Sequence, residues 1–184
     1  MIFLLEDREN DFSQEIFVSP ISRYTIVVGK ILGESLVALP QGIAALLFLL
    51  LVGFPIGPPQ LGELLVATAL ICLFGGSFGL FVLGWLPNRR VATQIFGFVM
   101  LPQYFLAGVF NPLQGLPPWL DAVSHVAPLR YAVDLARHVF YAGRPEAAQT
   151  VVEPLWLDLA VIGVMLAVFL PLGTFLFVRA ERNR

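Results

Sequence analysis

The chain has 184 residues, is 58% hydrophobic and only 13% charged, and has a mean hydropathy of +0.81. This is too apolar for a water-soluble domain and is the composition of an integral membrane protein. A formal net charge of −2 with no clustered basic face gives no case for nucleic-acid binding, and the lone cysteine, Cys72, excludes an intrachain disulfide.

Residues 1–5, MIFLL, are too short for the apolar region of a secretory signal and have the character of the last turns of a transmembrane helix, which points to an N-terminal truncation. The charge run EDREND at 6–11 reads as a solvated helix end. Phe12, Ile16 and Phe17 then recur near helical spacing up to Ser19-Pro20. Residues 1–24 therefore predict a short amphipathic helix, a break at Pro20, and a further helix rising into the membrane.

Transmembrane spans are expected at about 35–54, 64–86, 91–110 and 159–178. The run 91–110 has no charge over 20 residues, enough at about 1.5 Å per residue to cover a hydrocarbon core of roughly 30 Å. The run 64–86 has none over 23 residues and carries Gly75 and Gly79 at a spacing that admits a second helix, although glycine is also simply common in membrane helices. A kink is expected at Pro171.

Between the last two spans, 111–154 reads as a helical hairpin. Asn111, Pro112, Gly115, Pro117 and Pro118 break the helix. A short helix over 119–126 starts from Pro118, and a second over 129–141 starts from Pro128. On the second, Arg130, Asp134, Arg137 and His138 share one face, and Leu129, Val133, Ala136 and Phe140 share another, a pattern that suits the membrane surface or a shallow dip into it. Arg8, Arg23, Lys30, Arg89, Arg90, Arg179, Arg182 and Arg184 lie on the side of the termini, against Arg130, Arg137 and Arg144 on the other. The positive-inside rule then makes both termini cytoplasmic and the hairpin external.

No motif for chemistry stands out. Gly29-Lys30 is not a P-loop, because Tyr24 stands where a glycine is needed and Ile31 where Ser or Thr is needed. Asp121 with His125 and Asp134 with His138 are i, i+4 pairs of zinc-ligand type, but Asp134 is equally placed to pair with Arg130 and Arg137, and no metal or cofactor is assigned. Ser77 has no histidine in any span to activate it as a nucleophile. Glu34, Glu63 and Asp158 sit near span ends, so no mid-membrane group captures an ion gradient, and energy for transport would come from another subunit.

Two stretches resemble a known family. Phe17-Val-Ser-Pro-Ile-Ser-Arg23, followed by Gly29-Lys30, is similar to the cytoplasmic coupling segment of type-2 ATP-binding-cassette (ABC-2) exporter permeases. Leu106-Ala-Gly-Val-Phe-Asn-Pro112, Leu116-Pro-Pro-Trp-Leu120 and the run 127–137 resemble that family's external re-entrant hairpin. The resemblance implies one all-α integral membrane domain over 1–184, with four transmembrane helices, an external re-entrant hairpin at 111–154 and a cytoplasmic coupling helix within 1–24. It implies coupling to a cytoplasmic ABC ATPase subunit through Glu15, Ile16, Phe17, Ser19, Pro20 and Arg23. It places an external gate at Asn111, Pro112, Leu116, Pro117, Trp119, Arg130, Asp134 and Arg137. Candidates to line the path for a drug, lipid-linked or saccharide substrate are Gln41, Thr68, Ser77, Gln94, Gln103 and Tyr104. The expected partners are a second permease chain, identical or not, and membrane lipid, in a bacterial inner membrane. A non-transporting scaffold or assembly subunit is the alternative reading.

Overall fold

The computed structural model describes residues 23–84, 86, 89–110 and 113–182. Among them are seven helices and no strand: α1 (Arg23–Leu51), α2 (Pro58–Gly84), α3 (Arg89–Leu106), α4 (Pro118–Ser124), α5 (Pro128–Phe140), α6 (Ala147–Thr150) and α7 (Leu155–Arg182). The chain is thus an all-α membrane protein, as expected. Three segments are long and apolar enough to cross a bilayer: Thr25–Leu51, Pro58–Val82 and Leu155–Leu176. At 29, 27 and 28 residues, α1, α2 and α7 each run to about 40 Å and outlast the expected spans. α7 passes Pro171 without interruption.

The third expected span is shorter than its apolar run. α3 stops at Leu106, and its apolar part is Gln94–Leu106. Asn111 and Pro112, expected to end it, lie outside the described residues, and the stop comes earlier, at Gly108. Gly108 has φ +71°, its N–H donates to the Phe105 carbonyl at 3.1 Å, and the Val109 N–H donates to the Tyr104 carbonyl at 3.1 Å. This left-handed closure satisfies the last carbonyls of the helix. α1 ends the same way at Gly53, φ +89°, before the proline run at 55–59, and Pro58 instead opens α2, where its missing N–H costs nothing.

α2 and α7 are the central pair. A Cβ on Gly173 would lie 2.9 Å from the Phe81 amide nitrogen and 3.1 Å from its Cα, so the two backbones are in contact there. The Phe169 ring lies 4.9 Å from that of Phe81 and 5.6 Å from that of Phe78. α1 packs along α2, with Ser35 Oγ and the Ile31 side chain over Gly76 and the Thr68 methyl against Gly42. Gly76 takes this contact rather than Gly75, which has nothing within 4 Å in this chain. Val27, Ile31, Leu80 and Val178 close one end of the bundle. Ala67, Phe74, Tyr131, Ala132, Leu135 and Ile162 join α2 and α7 to α5 toward the other. α3 makes its main contacts with α5 and α4.

Candidate functional site

α4, α5, α6 and the link to α7 form a cap over the end of the bundle where α1 stops and α2 begins. Gln60, near the start of α2, holds the cap down by donating from Nε2 to the Val139 and Phe140 carbonyls at 3.0 and 2.8 Å. These carbonyls belong to the last turn of α5, where backbone donors run short, although the Ala142 N–H also reaches the Val139 carbonyl at 3.5 Å.

The centre of the cap is Arg130, in the first turn of α5 and 1% exposed. Its Nη1 donates to Asp121 Oδ1 at 3.1 Å and to the Ser124 hydroxyl, and its Nη2 donates to Glu153 Oε1 at 2.9 Å. The His125 ring bridges the same carboxylates, with Nε2 3.3 Å from Glu153 Oε1 and Nδ1 3.8 Å from Asp121 Oδ1. One guanidinium thereby ties α4, α5 and the entry to α7 together, which its planar fork permits and a lysine would not. Tyr131 adds a bond from its hydroxyl to the His125 carbonyl at 2.8 Å. Burial pushes its phenol above the ordinary range, against a smaller opposing effect of Arg130, so the hydroxyl stays a donor.

One turn later Asp134, also 1% exposed, accepts the backbone N–H groups of Val152 at 3.0 Å and Glu153 at 2.8 Å. Arg137 reaches the opposite way, with Nη2 donating to the Gly108 carbonyl at 2.5 Å, and so fastens the end of α3 to the cap. The pairing expected within α5 does not form: among the described residues Arg130 pairs with Asp121 and Glu153, and Asp134 is held by backbone amides. The charged face of α5 is also turned inward rather than toward the membrane surface. Arg130 and Asp134 are buried because α4, through Asp121 and Ser124, and the link at 152–153 supply their partners. The apolar face, with Leu129, Val133, Ala136 and Phe140, instead lines a groove of about 480 Å³ shared with α1 and α2, in which Arg137 is the one charged lining residue among the described residues.

Of the expected gate residues, Arg130, Asp134 and Arg137 thus all take part in holding the cap, each with partners of its own. Leu116 and Pro117 lead into α4, and Trp119 in its first turn is 68% exposed and its side chain joins no polar contact among the described residues. Glu15, Ile16, Phe17, Ser19 and Pro20 lie outside the described residues, and Arg23 is described only as the first backbone residue of α1. The six candidate lining residues do not converge. Ser77 is fully buried and donates to the Phe74 carbonyl at 2.8 Å, and Thr68 donates to the Leu64 carbonyl at 2.7 Å. Gln103 is buried and accepts the Leu129 N–H at 3.3 Å, a donor orphaned in the first turn of α5. Gln41 and Gln94 are exposed on α1 and α3, and Tyr104 faces Phe110 with ring centroids 6.3 Å apart. Sequence reasoning missed Glu153, Ser124 and Gln60. Their partners lie 6 to 80 residues away, and only the spacing of Ser124 to Arg130 is local enough to have been suspected.

Residues 2–141 match the family model described as ABC-2 type transporter. The chain is 25% identical over 138 residues to the Probable multidrug ABC transporter permease YbhR of Escherichia coli (strain K12), covering 73% of this chain and 36% of that one. It is 26% identical over 163 residues to the Inner membrane transport permease YhhJ of the same strain, covering 87% and 42%. To the Putative transport permease ycf38 of Cyanophora paradoxa it is 26% identical over 140 residues, covering 74% and 48%. It spans less than half the length of these curated relatives. Because the family model covers most of the chain and includes α1–α3 and the whole of α5, this protein belongs to the ABC-2 type transporter family.

Proposed function

We propose that this chain is a membrane-spanning permease unit of an ATP-driven exporter, with the cap as its external gate and residues 1–24 as the segment that couples it to a separate cytoplasmic ATPase. The observation that carries this reading is the Arg130 cage. It makes the cap one unit, built of non-helical backbone and short helices, that is seated on α2 and α7 through the buried cluster around Tyr131, Ala132 and Leu135 and is fastened at its edges by a few polar contacts. Among these are the Gln60 bonds to α5 and the Arg137 bond to Gly108. Irregular backbone at membrane depth persists only where protein covers it or where it lines a wet cavity. A rigid body on such fastenings can move as a unit.

The excess of basic residues on the other side of the bundle supports an external cap and cytoplasmic termini in a bacterial inner membrane. The sequence between Tyr24 and Ile31 is no P-loop, which supports a separate ATPase. The relatives' names, a multidrug permease and transport permeases, support a transport role, in which a second permease chain is the expected partner. A drug, lipid-linked or saccharide cargo fits this reading.

The test is made on the protein assembled with its ATPase in membranes. Cysteines at Gly115 and Gly143 in a Cys72-free background are expected to label from outside, and alanine at both Leu116 and Trp119 to lower export while the ATPase still co-purifies. Phe17→Asp is expected to release the ATPase. Labelling of position 115 from the cytoplasmic side alone, or full ATPase retention with Phe17→Asp, overturns the proposal.

A further inference from the structure

Negative charge is in excess in the cap. Asp121, Asp134, Glu153 and Asp158 gather around it, and among the described residues Arg130 is the one arginine that pairs with any of them. Asp158 is the group left over. It lies in the first turns of α7, is 0% exposed, and neither of its carboxylate oxygens has a hydrogen-bond partner. An ionised carboxylate buried in this way is strongly unfavourable unless positive charge lies beside it. The His138 imidazole lies beside it, with Nε2 3.6 Å from Oδ2. One donor atom each from Asp134, His138 and Asp158 lies within 4.8 Å of the others.

We propose that Asp134, His138 and Asp158 bind a divalent cation of the zinc class, which staples α5 to α7. One imidazole nitrogen and two carboxylate oxygens form a donor set that suits zinc, at about 2.0–2.2 Å from the ion and hence about 3.3 Å from one another in a tetrahedron. The 3.6 Å separation of His138 and Asp158 needs little closure to reach this. Asp134 is already oriented, as a metal ligand usually is, by the amides of Val152 and Glu153, and a carboxylate that accepts those bonds keeps a free lone pair. The His138 Nε2–H donates to the Glu153 carbonyl at 2.5 Å. On binding, the neutral ring carries its proton on Nδ1 and turns the Nε2 lone pair to the ion, so this hydrogen bond is exchanged for a metal bond. The His138 side chain is 21% exposed, which leaves a way in from the solvent side. The i, i+4 pair is legible in the sequence, but the third ligand arrives from 20 residues beyond His138 and is placed only by the packing of α7 against α5. The proposal does not depend on the export reading.

The experiment uses the protein in detergent, carried on a tag without histidines, stripped with a chelator and titrated with zinc chloride by calorimetry, with bound metal counted by mass spectrometry. One zinc per chain is expected, with a rise in Tm as zinc is added. Asp158→Asn and His138→Ala are each expected to weaken zinc binding by more than about 100-fold, beyond what loss of a supporting residue causes. Glu146→Gln, an exposed carboxylate elsewhere in the cap, is expected to leave it unchanged. Metal-free Asp158→Asn is expected to melt no lower than the metal-free parent, because neither buried oxygen of Asp158 has a hydrogen bond to lose. If that variant does not fold, His138→Ala decides. A parent that takes up none of zinc, manganese(II) or cobalt(II) at micromolar concentration overturns the proposal, as do ligand variants that bind zinc as the parent does.

Discussion

The cap and the spanning bundle are held together by opposite means. In the bundle, α2 and α7 meet through Gly173 against the Phe81 backbone and through aromatic rings, and α1 meets α2 through Gly76 and Gly42, with almost no charge involved. In the cap, Arg130 and Asp134 are as deeply buried as the apolar core and are surrounded by carboxylates, hydroxyls and backbone amides. Between helices in lipid, apolar burial supplies little net drive, so close backbone approach and dispersion decide the packing. The cap consists of short helices with many free backbone ends, so its stability comes from side chains that reach those ends. Each region is therefore sensitive to a different substitution.

The largest effect is expected from removing the centre of the cap. Arg130→Ala empties the buried guanidinium site and leaves Glu153, 20% exposed, without its arginine, which should cost about 3 kcal/mol, and Arg130→Lys should recover only part of it because an ammonium lacks the fork. Thermal unfolding in detergent measures both, and an unchanged Tm for Arg130→Ala would remove the cap's supposed centre. Next comes the bundle. Gly173→Ala forces α7 away from the Phe81 backbone and should cost about 1–3 kcal/mol by overpacking, whereas Gly75→Ala, which meets nothing within 4 Å in this chain, serves as its control. Equal losses from the two would show that a glycine's general effect on helix stability is being measured rather than helix contact. The smallest effect belongs to the junction. Gln60→Ala gives up two hydrogen bonds to α5 carbonyls and should cost about 1 kcal/mol. If the cap moves against the bundle, it should also speed hydrogen exchange at the end of α5 more than in α2 or α7, and uniform exchange would argue against separable fastenings.

Composition and unbroken apolar runs were enough to place the three long helices, because a bilayer-crossing helix must satisfy its backbone internally and clothe itself in apolar side chains over a set length. Proline and glycine placed the short helices too, with Pro118 and Pro128 each opening one as expected. The end of α3 was misread because its apolar run continues to Phe110 while the helix stops at Leu106, and composition cannot register the positive φ of a single glycine, Gly108.

For the site, the sequence by itself determined which residues of α5 share a face, since 3.6-residue periodicity is a local property. Which way that face turned was decided only by the tertiary structure. Partners for Arg130 and Asp134 had to come from α4 and from the link before α7, and once Glu153 and the Val152 amide were in reach, burying the charged face became cheaper than solvating it. The same holds for Gln103, a candidate to line the path whose residue type equally suits a hydrogen bond between helices, and α5 brought an orphaned amide, that of Leu129, against it. A polar residue's role in a membrane protein follows from which unsatisfied group the fold delivers to it, and that delivery is a long-range event that no local pattern encodes.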